Sequence, residues 1–217
     1  MCFCIVTVGW IFSVCLHEFA HAIVAYKGGD HTVRDKGYLT FNPLKYTHPV
    51  TSIILPLLFM AMGGIGLPGG AVYIDRSLLR SRAWDTWVSL AGPASNLVLI
   101  VLIGALFRFN VISHDTESLA AVSLAFLLHL EISAFLLNLL PVPPLDGFQA
   151  LAPWLGEEFR ERAMTMANMG FFFVFIALSY VPPVRDAFWG TVFDISNWLG
   201  VDPQLIMIGW KTYRFWE

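Results

Sequence analysis

Apolar residues run almost unbroken through four stretches of this chain, roughly 3–25, 88–108, 119–141 and 164–182. Each approaches the about 20 residues that an α-helix needs to cross hydrocarbon. A fifth apolar stretch, VTSIILPLLFMAMGGIGL at 50–67, is shorter, holds Pro56 and leads into a Gly-rich run. It suits either a short span or a re-entrant segment whose irregular backbone is sheltered by protein or water. AVYI at 71–74 has the β-branched and aromatic content of a short strand. Between 187 and 216, Trp189, Trp198, Trp210 and Trp216 lie among polar residues. Trp favours the membrane–water interface, so interfacial helices are expected there. The pattern predicts an all-α polytopic membrane protein, a helical bundle with a short re-entrant or β segment. Residues 1–150 would form its membrane-embedded core, and 151–217 a C-terminal membrane helix followed by interfacial helices.

Composition agrees with that pattern. Of the 217 residues 57% are hydrophobic and 13% charged, with a mean hydropathy of +0.65. Soluble domains are about 45–50% apolar and about 25% charged, so both numbers depart towards the membrane. A net charge of −3 and the absence of a Lys/Arg run speak against nucleic acid as a partner. Cys2, Cys4 and Cys15 are too few for a disulfide framework. The first apolar run lacks the basic start and small-residue cleavage site of a signal peptide, so it is expected to stay as a membrane helix. Nine of the thirteen cations follow the first helix or precede the second and last, and the 109–118 loop has acids and no cation. If 50–67 does not change sides, the basic loops are cytoplasmic and the N-terminus is outside.

Ionisable groups inside an apolar run are costly and seldom idle. His17, Glu18 and His21 form the pentapeptide HEFAH within the first helix. Positions i and i+4 differ by about 40° around a helix, so the two imidazoles share a face and can hold zinc, with Glu18 beside them to take a proton from water. A polar patch satisfied by neighbouring helices is the plainer alternative. Catalytic zinc needs a third protein ligand and an open position. Asp30, Asp35, His31, His48, His129, Glu131 and Asp146 are all candidates by residue type. Asp146 ends the run NLLPVPPLDG at 138–147, where Pro141, Pro143 and Pro144 stop a regular helix and Gly147 permits a close turn. An ordinary N-cap for the next helix explains Asp146 equally well. Cys15, about 200° round from His17, points away from the metal. His129 and Glu131 lie about 25 Å and about 22 Å from Asp146 along a continuous helix, too far to be ligands. They would bond neighbouring helices or line a wet cavity. His48 reads as a solvated loop residue.

HEFAH in a membrane helix, AGPASN at 91–96 and NLLPVPPLDG at 138–147 together resemble the site-2 protease family of intramembrane zinc metalloproteases. NPLKY at 42–46 and the Pro-containing 50–67 stretch are similar to its compact prokaryotic branch. The resemblance implies one zinc ion per chain, with His17, His21 and Asp146 as ligands and Glu18 as general base. It places Asn96 near the site, against substrate or intermediate, and Asn138 in a weaker role of the same kind. It also implies a membrane-spanning protein or peptide substrate and a prokaryotic cell membrane; water must reach the buried site, so a polar cavity is expected to open to the cytoplasmic side. Regulated intramembrane proteolysis and clearance of signal-peptide remnants both suit it.

A helical peptide bond is shielded by its own hydrogen bonds, so a substrate has to unwind. Residues 69–74, with Val72 central, could offer a strand edge near the active site to an extended substrate; a plain connecting loop suits the same glycines. A zinc transporter would explain His and Asp within the membrane, but it needs no Glu beside its ligands and favours several metal sites. An inactive scaffold needs neither an intact Glu18 nor three ligands.

Overall fold

The computed structural model describes residues 1–42, 45, 72–214 and 216. The stretch 50–67, His48 and residues 69–71 lie outside the described residues, as do three residues of NPLKY. Among the described residues three helices are long and apolar enough to cross a membrane: α1 (Cys2–Gly28), α3 (Arg82–Arg108) and α4 (Leu119–Asn138). Between the first two come a four-residue α2 (Thr32–Asp35) and a 3-10 turn at Arg76–Leu78. Gly29 ends α1 at φ 122, a left-handed conformation that favours glycine. Ser81 caps α3 by accepting from the Trp84 amide, and Ser118 caps α4 by accepting from that of Ala121.

Contacts along α1 fix the topology. Gly28 faces Trp84, and Gly92 faces His21 and His17, so α3 runs antiparallel to α1. Gly9 faces Leu127 and Ser13 bonds Glu131, so α4 runs parallel to α1. α4 is the central helix, with 72% of its apolar window buried against 39% and 33% for α1 and α3. The end of α1 and the start of α3 meet where the Arg80 amide donates to the Gly28 carbonyl at 2.9 Å. Lys27, Arg80 and Arg82 therefore gather at one end of the bundle, and Arg76, Arg82 and Arg160 line one cavity there.

After α4 the chain turns through Leu139–Leu145, as the prolines require, into α5 (Asp146–Leu151) and a 3-10 turn at Ala152–Trp154. A Cβ on Gly147 would meet the Leu139 and Leu140 backbone, so this turn is as close as the sequence suggested. The expected fourth span is shorter than 164–182. Its residues divide at Met166 between α6 (Glu157–Thr165) and α7 (Ala167–Tyr180). The 14 residues of α7 reach about 21 Å, short of the roughly 30 Å of hydrocarbon.

α8 (Pro182–Trp198) and α9 (Pro203–Tyr213) complete the chain. α9 buries Leu205, Ile206, Gly209 and Tyr213. Its Tyr213 ring lies 5.1 Å from Phe3 and 5.5 Å from Phe126. It therefore packs on α1 and α4, although its Trp content suggested an interfacial helix. Gly209 sits against the Val122 carbonyl, the close approach that small residues allow between helices in lipid. Gly209→Val would push branched carbons into that carbonyl and into Phe126, at a cost of about 1–3 kcal/mol for overpacking. A lower unfolding temperature in detergent is the expected result, read by thermal melting of purified variant and wild type.

Candidate metal centre

Ser13, His17 and His21 follow at i, i+4 and i+8 on α1 and so share one helical face. That face looks towards α3, where Gly92 and Pro93 interrupt the regular packing surface. A Cβ on Gly92 would fall on the Nε2 atoms of both His17 and His21. The glycine leaves a cradle in which these two nitrogens approach to 3.0 Å. Asp146, the first residue of α5, brings Oδ2 to 3.1 Å from His17 Nε2 and 3.5 Å from His21 Nε2. Leu145 holds the N-cap position of α5, and no side chain caps that helix. The N-cap explanation of Asp146 is therefore replaced by its place beside the histidines.

These distances allow a test of metal fit. Bonds of about 2.0–2.1 Å in a tetrahedral shell separate neighbouring donors by about 3.3 Å. The observed separations bracket that value, and the three ligand atoms lie within 4.8 Å of one another. Each ring also has a partner behind it. His21 Nδ1 lies 2.6 Å from the Val88 carbonyl oxygen, and His17 Nδ1 lies 2.5 Å from Asn96 Oδ1. Both acceptors require hydrogen on Nδ1, which leaves the Nε2 lone pairs free to face the cradle. Among the described residues no other group of His, Cys, Asp and Glu could hold a metal in this way.

Glu18 is buried beside this centre, and its Oε2 accepts from the Val72 amide at 2.9 Å. Residues 72–75 have no strand pairing among the described residues. They are held at their far end by Asp30, whose Oδ2 accepts from the Asp75 amide at 2.7 Å. Asp30, a ligand candidate by residue type, is thus a clamp on the loop that crosses Glu18. A cavity of about 20 Å³ lies between Glu18, His17 and Asn138. That volume admits about one water molecule. Asn138 is buried and lines this cavity.

Asn96 has a different place. It stands behind His17, and its amide nitrogen donates to Ser13 Oγ at 3.1 Å and Glu131 Oε2 at 2.8 Å. Its carbonyl and both amide hydrogens are thereby engaged within the protein. His129 is turned to α8, its ring stacked on Trp189 at 5.7 Å and tilted against Phe193 at 4.9 Å. Sequence reasoning found neither the Val88 carbonyl, nor Gly92, nor the Ser13–Glu131 pair. The spacing of Ser13 from His17 and the lone acid in the α4 run were the available signals.

Comparison with known proteins follows the same line. Two mycobacterial relatives carry the name "Putative zinc metalloprotease Rip2". That of Mycolicibacterium smegmatis is 44% identical over 215 residues, 99% of this chain and 82% of its own. That of Mycobacterium tuberculosis strain H37Rv is 42% identical over 216 residues, with the same coverage of each. "Putative zinc metalloprotease YwhC" of Bacillus subtilis is 35% identical over 185 residues, 82% of this chain and 81% of its own. No family model matches the chain, and no solved structure does.

The cradle yields a prediction independent of catalysis. Gly92→Ala should improve helix stability by about 0.5–1 kcal/mol, since Ala loses less backbone entropy than Gly. It should nevertheless lower bound metal well below one ion per chain, because the new methyl occupies the space where both Nε2 atoms converge. Elemental analysis of the purified variant decides this; full occupancy would place the ion elsewhere.

Proposed function

Because this chain belongs to the site-2 protease family of membrane zinc metalloproteases, we propose that it cleaves peptide bonds within or beside the bilayer. Its substrates would be membrane-spanning proteins or peptides. The observation that carries this reading is the convergence of His17, His21 and Asp146 on one point beside a buried Glu18. These three residues would hold the zinc. When bound, the ion acidifies water and polarises a carbonyl oxygen.

The remaining steps belong to the chain's own groups. Glu18 takes the proton of a water in the adjoining cavity and returns it to the leaving amine. Asn138, buried and lining that same cavity, supplies an amide donor for developing negative charge on the carbonyl oxygen. Asn96, engaged on every side, acts by holding His17. The cationic end of the bundle, with Lys27, Arg80 and Arg82, faces the cytoplasm by the positive-inside tendency. His17, Glu18 and His21 lie in the half of α1 nearer that end. Water would therefore reach them from the cytoplasmic side. Residues 1–150 form the catalytic core in this reading, and 151–217 a C-terminal segment that braces it.

Glu18→Gln keeps the shape of the side chain and removes its basicity. The expected outcome is an intact fold, one zinc ion per chain and no cleavage of a membrane-spanning substrate; Asp146→Ala should lose zinc as well. Residual turnover near wild type in Glu18→Gln would mean that another group moves the proton.

Residues 72–75, which cross Glu18, would hold an extended substrate there by main-chain pairing. Val72→Pro deletes the amide that donates to Glu18. A hydrogen bond to a charged group contributes about 1.5–3 kcal/mol, so cleavage should fall at least about tenfold. Zinc should stay bound, and Val72→Thr, which keeps the amide, should be nearly silent. Cleavage assays with metal analysis on the same samples read both effects; equal rates for Val72→Pro and wild type would remove this loop from substrate handling.

A further inference from the structure

Glu131 is the one acid of the mostly apolar membrane helix α4, 1% exposed. Burying such a group costs several kcal/mol, and an apolar replacement of similar volume is often neutral or stabilising. Its neighbours show what it does. Oε2 accepts from the Ser13 hydroxyl of α1 at 2.7 Å and from the Asn96 amide of α3 at 2.8 Å, while Oε1 has no partner among the described residues. The acid thus bonds both helices that carry the metal-binding face. Neither bond reaches His17 directly.

We propose that Glu131 is a positioning residue for the zinc ligand His17, acting through the Asn96 amide. The two ends of an asparagine amide have nearly the same shape and opposite polarity. Glu131 Oε2, which already accepts the Ser13 hydrogen, is an acceptor at this contact and so demands the NH2 end of Asn96. The Ser13 hydroxyl, which donates to Glu131, has its lone pairs left for that same NH2 group. With the amide so turned, Asn96 Oδ1 faces His17 Nδ1 and can only accept. The His17 hydrogen must then sit on Nδ1, and Nε2 is free for the metal. The reverse amide orientation sets a carbonyl against a carboxylate and asks His17 Nδ1 to accept, which moves the hydrogen to the metal-binding nitrogen.

The two histidines differ in this need. His21 is fixed by the Val88 carbonyl, a backbone group that presents only an acceptor. His17 is fixed by a side-chain amide that can rotate, and that amide needs an anchor of fixed polarity. Ser13 alone cannot supply it, because a hydroxyl both donates and accepts. Glu131 can.

This inference rests on the zinc site proposed above, and one experiment separates the two. Zinc affinity is measured by chelator competition on purified wild type, Asp146→Ala, Glu131→Gln, Asn96→Asp and the double variant Asn96→Asp/Glu131→Gln, with thermal melts for each. Loss of zinc in Asp146→Ala tests the site itself. Glu131→Gln keeps size but can present either end of its amide, so zinc affinity should weaken by about 10–100-fold, the usual effect of removing an outer-shell partner. Asn96→Asp sets two carboxylates against each other and should weaken it too. In the double variant the glutamine NH2 donates to one aspartate oxygen and the other accepts from His17, so affinity should return close to wild type. A merely structural role for Glu131 does not predict that rescue. Wild-type affinity in Glu131→Gln overturns the proposal. So does a double variant that binds zinc no better than the weaker single one.

Discussion

A histidine nitrogen that binds a metal must have its hydrogen on the opposite side of the ring, and within a bilayer that hydrogen needs an acceptor. Two such hydrogens lie behind the candidate centre. Their acceptors come from α3, as the Val88 carbonyl and the Asn96 side chain. Hence α3 must lie close against α1 along the metal-binding face, and its Gly92 leaves room for the imidazoles at that contact. The central position of α4 has the same origin. It brings Glu131 and Asn138 to two levels of the same face, the first behind His17 and the second beside Glu18.

The loop that crosses Glu18 depends on a different set of bonds. Asp30, just after α1, accepts from the Thr32 amide and hydroxyl with one oxygen and from the Asp75 amide with the other. Val72 and Ile74 then pack on Ala25, Val33 and Val88. One buried carboxylate at the end of α1 thereby ties a distant stretch of chain to the helix that carries Glu18. The register of Val72 over Glu18 follows from it.

The α1 residues of the centre were legible in the sequence because their logic is local. The i, i+4 spacing of His17 and His21 puts them on one face of any helix, and the cost of burying them in an apolar run argues for a ligand. Asp146 could be placed only by resemblance, since its approach depends on how the chain turns after Asn138. The about 22 Å from Glu131 to Asp146 assumed a continuous helix, and it concealed that Glu131 reaches the other side of the site. Asn96 was expected in front of the histidines and stands behind one, because an amide's surroundings are not written in its motif. The three spanning helices followed from length and hydropathy. The break at Met166 and the packing of α9 into the bundle depend on tertiary contacts that apolar content does not specify.

α4 ends at Asn138, and that sets the depth of the chemistry. It rises about 1.5 Å per residue, so its 20 residues measure about 30 Å, the full thickness of hydrocarbon. Glu131, level with Ser13, lies seven residues or roughly 10 Å inside that end. Glu18 shares its cavity with Asn138 itself. His17 and Glu18 thus lie little more than a turn past Ser13, near the end of α4, and His21 a further turn in the same direction. In the proposed reaction a substrate would meet Glu18 near that end of the bundle and would not have to unwind halfway along α4.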